Sequence, residues 1–322
     1  MLLAEIKTAV MVVRDMEKGR AELYTQGACS KCPRKCNTDR KNGKYGYCNS
    51  SDRLSLAAIC LHRGEEPVLS GDTGMCNIFF THCNLQCIYC QNFQISRNDT
   101  EEKQILLEEA LDAIEGFLDA GITCVGFVAP SHDIPQMKSI IDGLRCRARH
   151  PVYVMNTSAY DLKETIESLE GFIDVYLPDF KYMDERLARD YSGAMDYPSV
   201  ALRALREMYR QKGSNLRING KGMVESGFII RHLILPGHVE NSVACLRAIA
   251  EELSPSVHVS LMSQYHPVKP VHHHSMLGRT ITREEYDMVV EEFYRLGFHR
   301  GWVQEFESHD EYLPDFDKDH PF

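Results

Sequence analysis

The sequence predicts an α/β fold built on a parallel sheet, and three observations carry that prediction. Six strand-like apolar runs follow residue 75, at 75–81, 122–129, 151–156, 172–177, 227–235 and 256–263. Helical patterns lie between them. Apolar residues make up 43% of 322, enough for a real core. Strands alternating with helices give parallel pairing through right-handed crossovers, as either an open sheet or a partial barrel.

Residues 1–75 read as irregular after a short helical start. From Gly27 to Tyr47 the chain is dense in Lys, Arg, Asn and Gly and has almost no apolar periodicity, so this stretch needs a staple. The run MCNIFFT is the first strand. In 103–119, Leu106, Leu107, Ala110, Leu111, Ile114, Phe117 and Leu118 recur at three and four, giving one apolar helix face. ITCVGFVA follows as the second strand, and Pro135 suits the first turn of the next helix. PVYVMN and FIDVYL are the third and fourth strands, with a helix at 161–170 between them. A helix at 199–211 leads to GFIIRHLIL, and one at 241–253 to SVHVSLMS. Thr282 and Glu285 form a capping box before Tyr286, Val289, Val290 and Phe293, and Gly297 closes that helix. Trp302 and Gln304 are expected at the open edge of the sheet. The tail 306–322 is acidic and aromatic and reads as a surface segment packed by its aromatics. The expected division is a Cys-rich N-terminal module (1–74), the α/β body (75–305) and this tail.

Thirty-six Lys and Arg against 46 Asp and Glu leave a net charge of −10. That balance disfavours general nucleic-acid or anionic-membrane binding. No apolar run reaches the 18 or so residues of a membrane span. The start MLLAEIKTAVMVVRDMEKGR carries acids and lacks a basic head followed by an apolar stretch, so no secretion signal and a cytoplasmic location are expected. In such a compartment, 12 cysteines point to metal ligands or catalysts rather than disulfides.

The cysteines sort into three groups. Cys60, Cys76, Cys124, Cys146 and Cys245 are scattered and read as small buried hydrophobes. Cys83, Cys87 and Cys90 form C-x3-C-x2-C directly after the first strand. Three thiolates so placed can hold three irons of a [4Fe–4S] cube and leave one iron open to a non-protein ligand. The other readings are zinc, for which His82 is an awkwardly adjacent fourth ligand, or a redox pair with a spare thiol. Cys29, Cys32, Cys36 and Cys48 form C-x2-C-x3-C-x11-C, four thiols in 20 residues with Pro33, Gly43 and Gly46 among them. This is either a structural zinc site that contributes folding energy or a second Fe–S cluster that relays electrons.

CNLQCIYC resembles the C-x3-C-x-Φ-C signature of radical S-adenosylmethionine (SAM) enzymes, with Tyr89 as the aromatic Φ. Over about 27–322, GACSKCPRKC, GKYGYC, EEPVLSG and THCNLQCIYCQNFQIS resemble an uncharacterised subfamily related to pyruvate formate-lyase activating enzyme. The resemblance implies a partial (β/α)6 barrel, with a [4Fe–4S] cluster on Cys83, Cys87 and Cys90 and SAM on its open iron. It implies reductive cleavage of SAM to methionine and a 5′-deoxyadenosyl radical, which takes hydrogen from a substrate. In barrels the site lies at the C-terminal strand ends. The family's Gly-Gly-Glu after strand two is replaced by Ala129-Pro130-Ser131, so only backbone near Ala129 is carried over, and its Glu role is unfilled. Asn156-Thr157-Ser158 and Asp179-Phe180-Lys181 resemble the activators' Asp-Thr-Asn and Asp-Leu-Lys. The activators' monovalent-cation site is weakened because Asn156 replaces a carboxylate. Lys181, Arg231 and His266 match residues near SAM, and charge-assisted bonds from such cations suit its carboxylate. The alternatives are a strand-end lysine, an arginine paired with an acid and a surface-loop histidine. His272-His273-His274 read as a solvated loop.

The resemblance further implies a flavodoxin- or ferredoxin-type reductant and, as substrate, a glycine of a glycyl-radical enzyme; no residue defines that substrate. The alternatives are a radical SAM enzyme acting on another protein or a small molecule, a zinc-stabilised scaffold, and an electron-transfer protein with two clusters.

Overall fold

The structure is a computed structural model that describes residues 29–308, 313–318 and 321–322. The expected helical start and Gly27 lie outside the described residues.

A nine-stranded sheet organises the chain. In chain order the strands are β1 (Leu56–His62), β2 (Met75–Phe80), β3 (Cys124–Val128), β4 (Val152–Thr157), β5 (Val175–Pro178), β6 (Arg217–Ile218), β7 (Val224–Leu233), β8 (His258–Met262) and β9 (Gly301–Val303). They are ordered β1-β2-β3-β4-β5-β7-β8-β9, with β6 beside β7. Neighbours from β2 to β9 pair in parallel, whereas β1 and β6 pair antiparallel to β2 and β7. All six expected strands are present. The expectation of irregular chain up to residue 75 is corrected: Leu56–His62 forms an edge strand on β2, because the exposed ladder of β2 offers LAAICLH a partner no local pattern announces.

The α-helices of five or more residues are α1 (Leu107–Asp119), α2 (Ile134–Cys146), α3 (Lys163–Glu167), α4 (Glu185–Ser192), α5 (Tyr197–Lys212), α6 (Val239–Glu252) and α7 (Arg283–Arg295). Of these, α4 was not expected. Asp184 caps it by accepting from the Arg186 and Leu187 amides, and Gly193 ends it at φ 60°. The predicted capping box opens α7: Glu285 N–H donates to Thr282 Oγ1 at 3.2 Å, and Thr282 N–H to Glu285 Oε2 at 2.8 Å.

Successive strand residues point to opposite faces, and both faces are covered, hence the continuous apolar runs. Ile78, Phe127, Met155, Tyr176 and Ile230 pack in one core with helix residues such as Ile114, Ile140, Leu205 and Ile249. Met75, Cys124, Val154, Val175 and Ile229 point the other way and meet Leu69. His62 of β1 and Trp302 of β9 line the same cavity of about 550 Å³, so the sheet curls into a barrel that stays open between its two edge strands. Cys60, Cys76, Cys124 and Cys245 are buried as expected, but Cys146 is exposed, since it falls on the last turn of α2 facing solvent. Among the described residues no helix is long and apolar enough to cross a membrane.

The edge strand β9 depends on one glycine. Gly301 has φ 108°, and a Cβ there would stand 2.0 Å from the Val259 carbonyl oxygen of β8. Gly301→Ala should therefore detach β9 at a cost of about 1–3 kcal/mol. An unchanged midpoint in urea unfolding would contradict this account.

Candidate active site

The loop after β2 gathers the central thiols. His82 takes a left-handed φ of 71° and turns the chain, and its amide donates to the Ile95 carbonyl at 2.8 Å. Each sulfur in the loop then receives one hydrogen bond. The Leu85 amide donates to Cys83 Sγ at 3.3 Å, the Ser192 hydroxyl to Cys87 Sγ at 3.0 Å, and the Ser96 hydroxyl to Cys90 Sγ at 3.2 Å. None of the three is in a disulfide. Burial pushes all three thiols up, while the Lys181 ammonium works in the opposite direction on each. Buried thiols of this kind become thiolates when a cation binds them. Among the described residues no three Cys, His, Asp or Glu side chains converge tightly enough to hold one ion. A cube, which takes one thiolate per iron, needs no such convergence.

Tyr89 is buried beneath this loop. Its hydroxyl lies 2.7 Å from that of Tyr182, which lies 2.8 Å from the Ser192 hydroxyl. The rings of Tyr182, Tyr191 and Tyr265 surround it at 6.1–6.5 Å. The aromatic of the motif is thus tied through Ser192 to Cys87.

The strand ends place the other predicted residues unequally. At the end of β5, Lys181 Nζ contacts Asp179 Oδ2 at 2.7 Å, the side chains 17% and 26% exposed. Burial would lower the Lys181 ammonium, but Asp179 outweighs it and the Cys87 and Cys90 sulfurs act in the same direction as Asp179, so Lys181 stands between Asp179 and the cysteine loop. Asn156, at the end of β4, lines the cavity, as do Gln91 and Asn92 just beyond Cys90. Ala129 sits at φ 54°, and its amide donates to the Asn156 carbonyl at 2.9 Å. The Ser158 carbonyl accepts from the Tyr197 hydroxyl at 2.8 Å. His266, half-buried in the loop after β8, is not among the cavity-lining residues.

Arg231 also lines the cavity, but acids already hold it. Its Nε donates to Glu66 Oε1 at 2.8 Å and its Nη2 to Glu66 Oε2 at 2.6 Å; Nη2 also bonds Glu65. Glu65 in turn contacts His62 at 3.1 Å and accepts from Asn77 at 2.8 Å. Burial would depress the guanidinium, yet the two carboxylates keep it well above its ordinary value. Burial would likewise raise Glu65, but Arg231 and then His62 outweigh it and hold the carboxyl below the usual range. Arg231 is thus paired with two acids while it lines the cavity. The EEP run carried this signal without revealing its partner.

The N-terminal cysteines form a compact knuckle against the loop. Burial pushes the Cys32 thiol up to about 12, and the nearby Cys48, Cys29 and Cys36 add to that rise. Gly46 must be glycine, because a Cβ would lie 2.8 Å from Cys36 Cβ. Sulfur again accepts hydrogen bonds: Tyr47 N–H donates to Cys36 Sγ at 3.2 Å and Arg40 Nη2 to Cys48 Sγ at 3.0 Å. Two arginines dock the knuckle. Arg34 donates to the Asn84 carbonyl at 2.9 Å and the Gly193 carbonyl at 2.6 Å, its guanidinium 3.8 Å from the Tyr47 ring centroid. Arg40 Nη1 donates to Asp133 Oδ1 at 2.8 Å and the His132 carbonyl at 3.0 Å, so the exit of β3 serves as its anchor. The Arg40 and Asp133 side chains are 2% and 1% exposed. Arg40→Ala would leave Asp133 buried without its cation, and about 3–5 kcal/mol of stability should be lost. A shift in the urea midpoint below 1 kcal/mol would show that the docking contact is dispensable.

A thiol-rich loop thus follows the first parallel strand of an open α/β barrel. Residues 77–242 match the Radical SAM superfamily, and the chain belongs to that superfamily. It is therefore a radical SAM enzyme, with a [4Fe–4S] cluster and SAM as the superfamily's cofactors. An uncharacterised protein of Methanocaldococcus jannaschii is 25% identical over 279 residues, 82% of this chain and 73% of that protein. The FeFe-hydrogenase maturase HydG from Carboxydothermus hydrogenoformans has a similar fold, with a TM-score of 0.50 at 15% identity over 69% of this chain and 50% of that one. Streptococcus suis SuiB bound to SAM gives 0.48 at 12% identity over 74% of this chain and 52% of that one. The chain spans about half the length of these two solved structures.

Proposed function

We propose that Cys83, Cys87 and Cys90 carry the cluster, and that the enzyme takes hydrogen from a peptide substrate, specifically a glycine of a glycyl-radical enzyme. The cofactors supply one-electron cleavage of SAM to methionine and a 5′-deoxyadenosyl radical. The observation that carries the reading is the donor set: three free, half-buried thiols, each accepting one hydrogen bond, beside the Lys181 ammonium. Hydrogen bonds to sulfur stabilise the thiolate form that ligation needs. Lys181, held by a single acid where Arg231 is held by two, is the cation for the SAM carboxylate. Asn156 and backbone at Ala129 and Ser158 supply further polar groups, and Tyr89 packs the floor. His266 is the weaker candidate beside them. The barrel walls exclude water and stray hydrogen donors from the reaction.

Cys29, Cys32, Cys36 and Cys48 are assigned a second metal group. That group is either a structural zinc or an Fe–S cluster. A flavodoxin or ferredoxin is the reductant, and the twelve free cysteines suit the cytoplasm. The opening between β1 and β9 supports a peptide rather than a fully enclosed small molecule.

The test is anaerobic reconstitution with iron and sulfide, followed by dithionite and SAM, with 5′-deoxyadenosine quantified. Product is the expected result. Absence of both product and SAM binding would overturn the assignment.

A further inference from the structure

The open seam of the barrel is covered by the chain itself. Phe316 is buried against Cys60, Phe79, Ile95 and Val128. Its ring meets Phe79 edge-on at 5.1 Å. Phe322 stacks on Phe79 at 5.7 Å and lies 4.2 Å from the His62 ring. Gln94, four residues past Cys90, holds the same segment by its carboxamide. Its Oε1 accepts the Phe316 amide at 2.9 Å, and its Nε2 donates to Asp317 at 3.0 Å and to Asp315 at 3.3 Å. Pro314 and Phe322 line the cavity together with Asn156 and Arg231.

These contacts read a peptide. A glutamine amide has two donors and an acceptor, so it can take a backbone N–H and two flanking carboxylates at once. An aromatic side chain supplies large apolar burial between them. We infer that Gln94, His62, Phe79 and Val128 form a peptide-binding site for a segment carrying an aromatic residue flanked by carboxylates, which Asp315-Phe316-Asp317 fills in cis. The inference deepens the function proposed above, and rests on it only for the step from bound peptide to substrate. A tethered segment competes at an effective concentration on the order of millimolar, so an incoming partner must bind by more than these contacts alone.

The test uses the full-length protein and a fluorescent peptide of sequence LPDFDKDHPF, residues 313–322. A Phe316→Ala, Phe322→Ala variant vacates the site and should bind the peptide at least tenfold more tightly than the wild type in fluorescence anisotropy. Adding Gln94→Ala should remove that gain. An Asp315→Asn, Asp317→Asn variant keeps every apolar contact and should show a smaller gain in the same direction. Equal binding by wild type and vacated variant, or indifference to Gln94, would overturn the site. Anisotropy is read without reductant or SAM. Peptide binding here, together with neither 5′-deoxyadenosine nor SAM binding in the separate reconstitution assay, would thus leave this site standing and overturn the proposed activity instead.

Discussion

Cys87→Ala is expected to reduce 5′-deoxyadenosine formation to the assay background while leaving the protein folded. The substitution removes a cluster ligand outright and leaves the Ser192 hydroxyl without its acceptor, now 3.0 Å from Sγ. Nothing nearby can replace the thiolate, since Cys83 and Cys90 are needed as ligands in their own right. Stability should change little, because the loop keeps its backbone bonds, including Cys90 N–H to the Cys87 carbonyl at 3.1 Å. Ser192→Ala tests the same site more gently. It keeps all three thiols and removes one hydrogen bond to sulfur, and losses of that kind cost about 10- to 100-fold. Cluster binding should survive in Ser192→Ala and its redox potential should move, because hydrogen bonds to sulfur set it. Full activity in Cys87→Ala would rule out the assigned ligand set.

Arg231→Ala is expected to destabilise the protein by about 3–5 kcal/mol, because it strands charge in the interior. The Glu65 and Glu66 side chains are each 5% exposed and share that guanidinium. Restoring neutrality with Glu65→Gln and Glu66→Gln in the Arg231→Ala background should return part of the loss, which a purely steric effect of Arg231 would not allow. The same cluster sets an acid limit. Glu65 titrates below the ordinary glutamate value of 4.5, so its contribution is fully present above that value. It is lost as the pH falls through the lower folded value, because the unfolded chain takes up the proton first. Urea midpoints measured downward from pH 5 should therefore fall more steeply in the wild type than in Glu65→Gln. Parallel slopes would remove Glu65 from the account.

What the sequence disclosed follows from which forces act locally. Strands buried on both faces advertise themselves as apolar runs, which is why MCNIFFT and ITCVGFVA were legible. The α4 segment ERLARDYS has few apolar residues and is helical because Asp184 caps it and α5 supports it, neither of which a periodicity scan sees. In the site, the proposed ligands Cys83, Cys87 and Cys90 were legible from their spacing, since they lie within one short loop. Ser192 was not legible, because its bond to Cys87 joins positions 105 residues apart. The ion pairs of Arg231 were illegible, since only the tertiary structure brings Glu65 and Glu66, 166 and 165 residues away, against it.

The way the cysteine loop is held also fixes when it can be finished during synthesis. Its three thiols have left the ribosome by residue 90, but the loop is braced by Arg34 from before it and by Ser192 and Gly193 from long after it. Chains emerge amino-terminus first, at about 5–20 residues per second, and contacts between distant positions form late. Leu85 and Ser96 reach Cys83 and Cys90 at once, but the nascent Cys87 thiol waits for about another hundred residues before its donor Ser192 arrives. Metal delivery to this protein belongs after the closing of the barrel, and a chain truncated before α4 would keep its three cysteines yet lose the scaffold that arranges them.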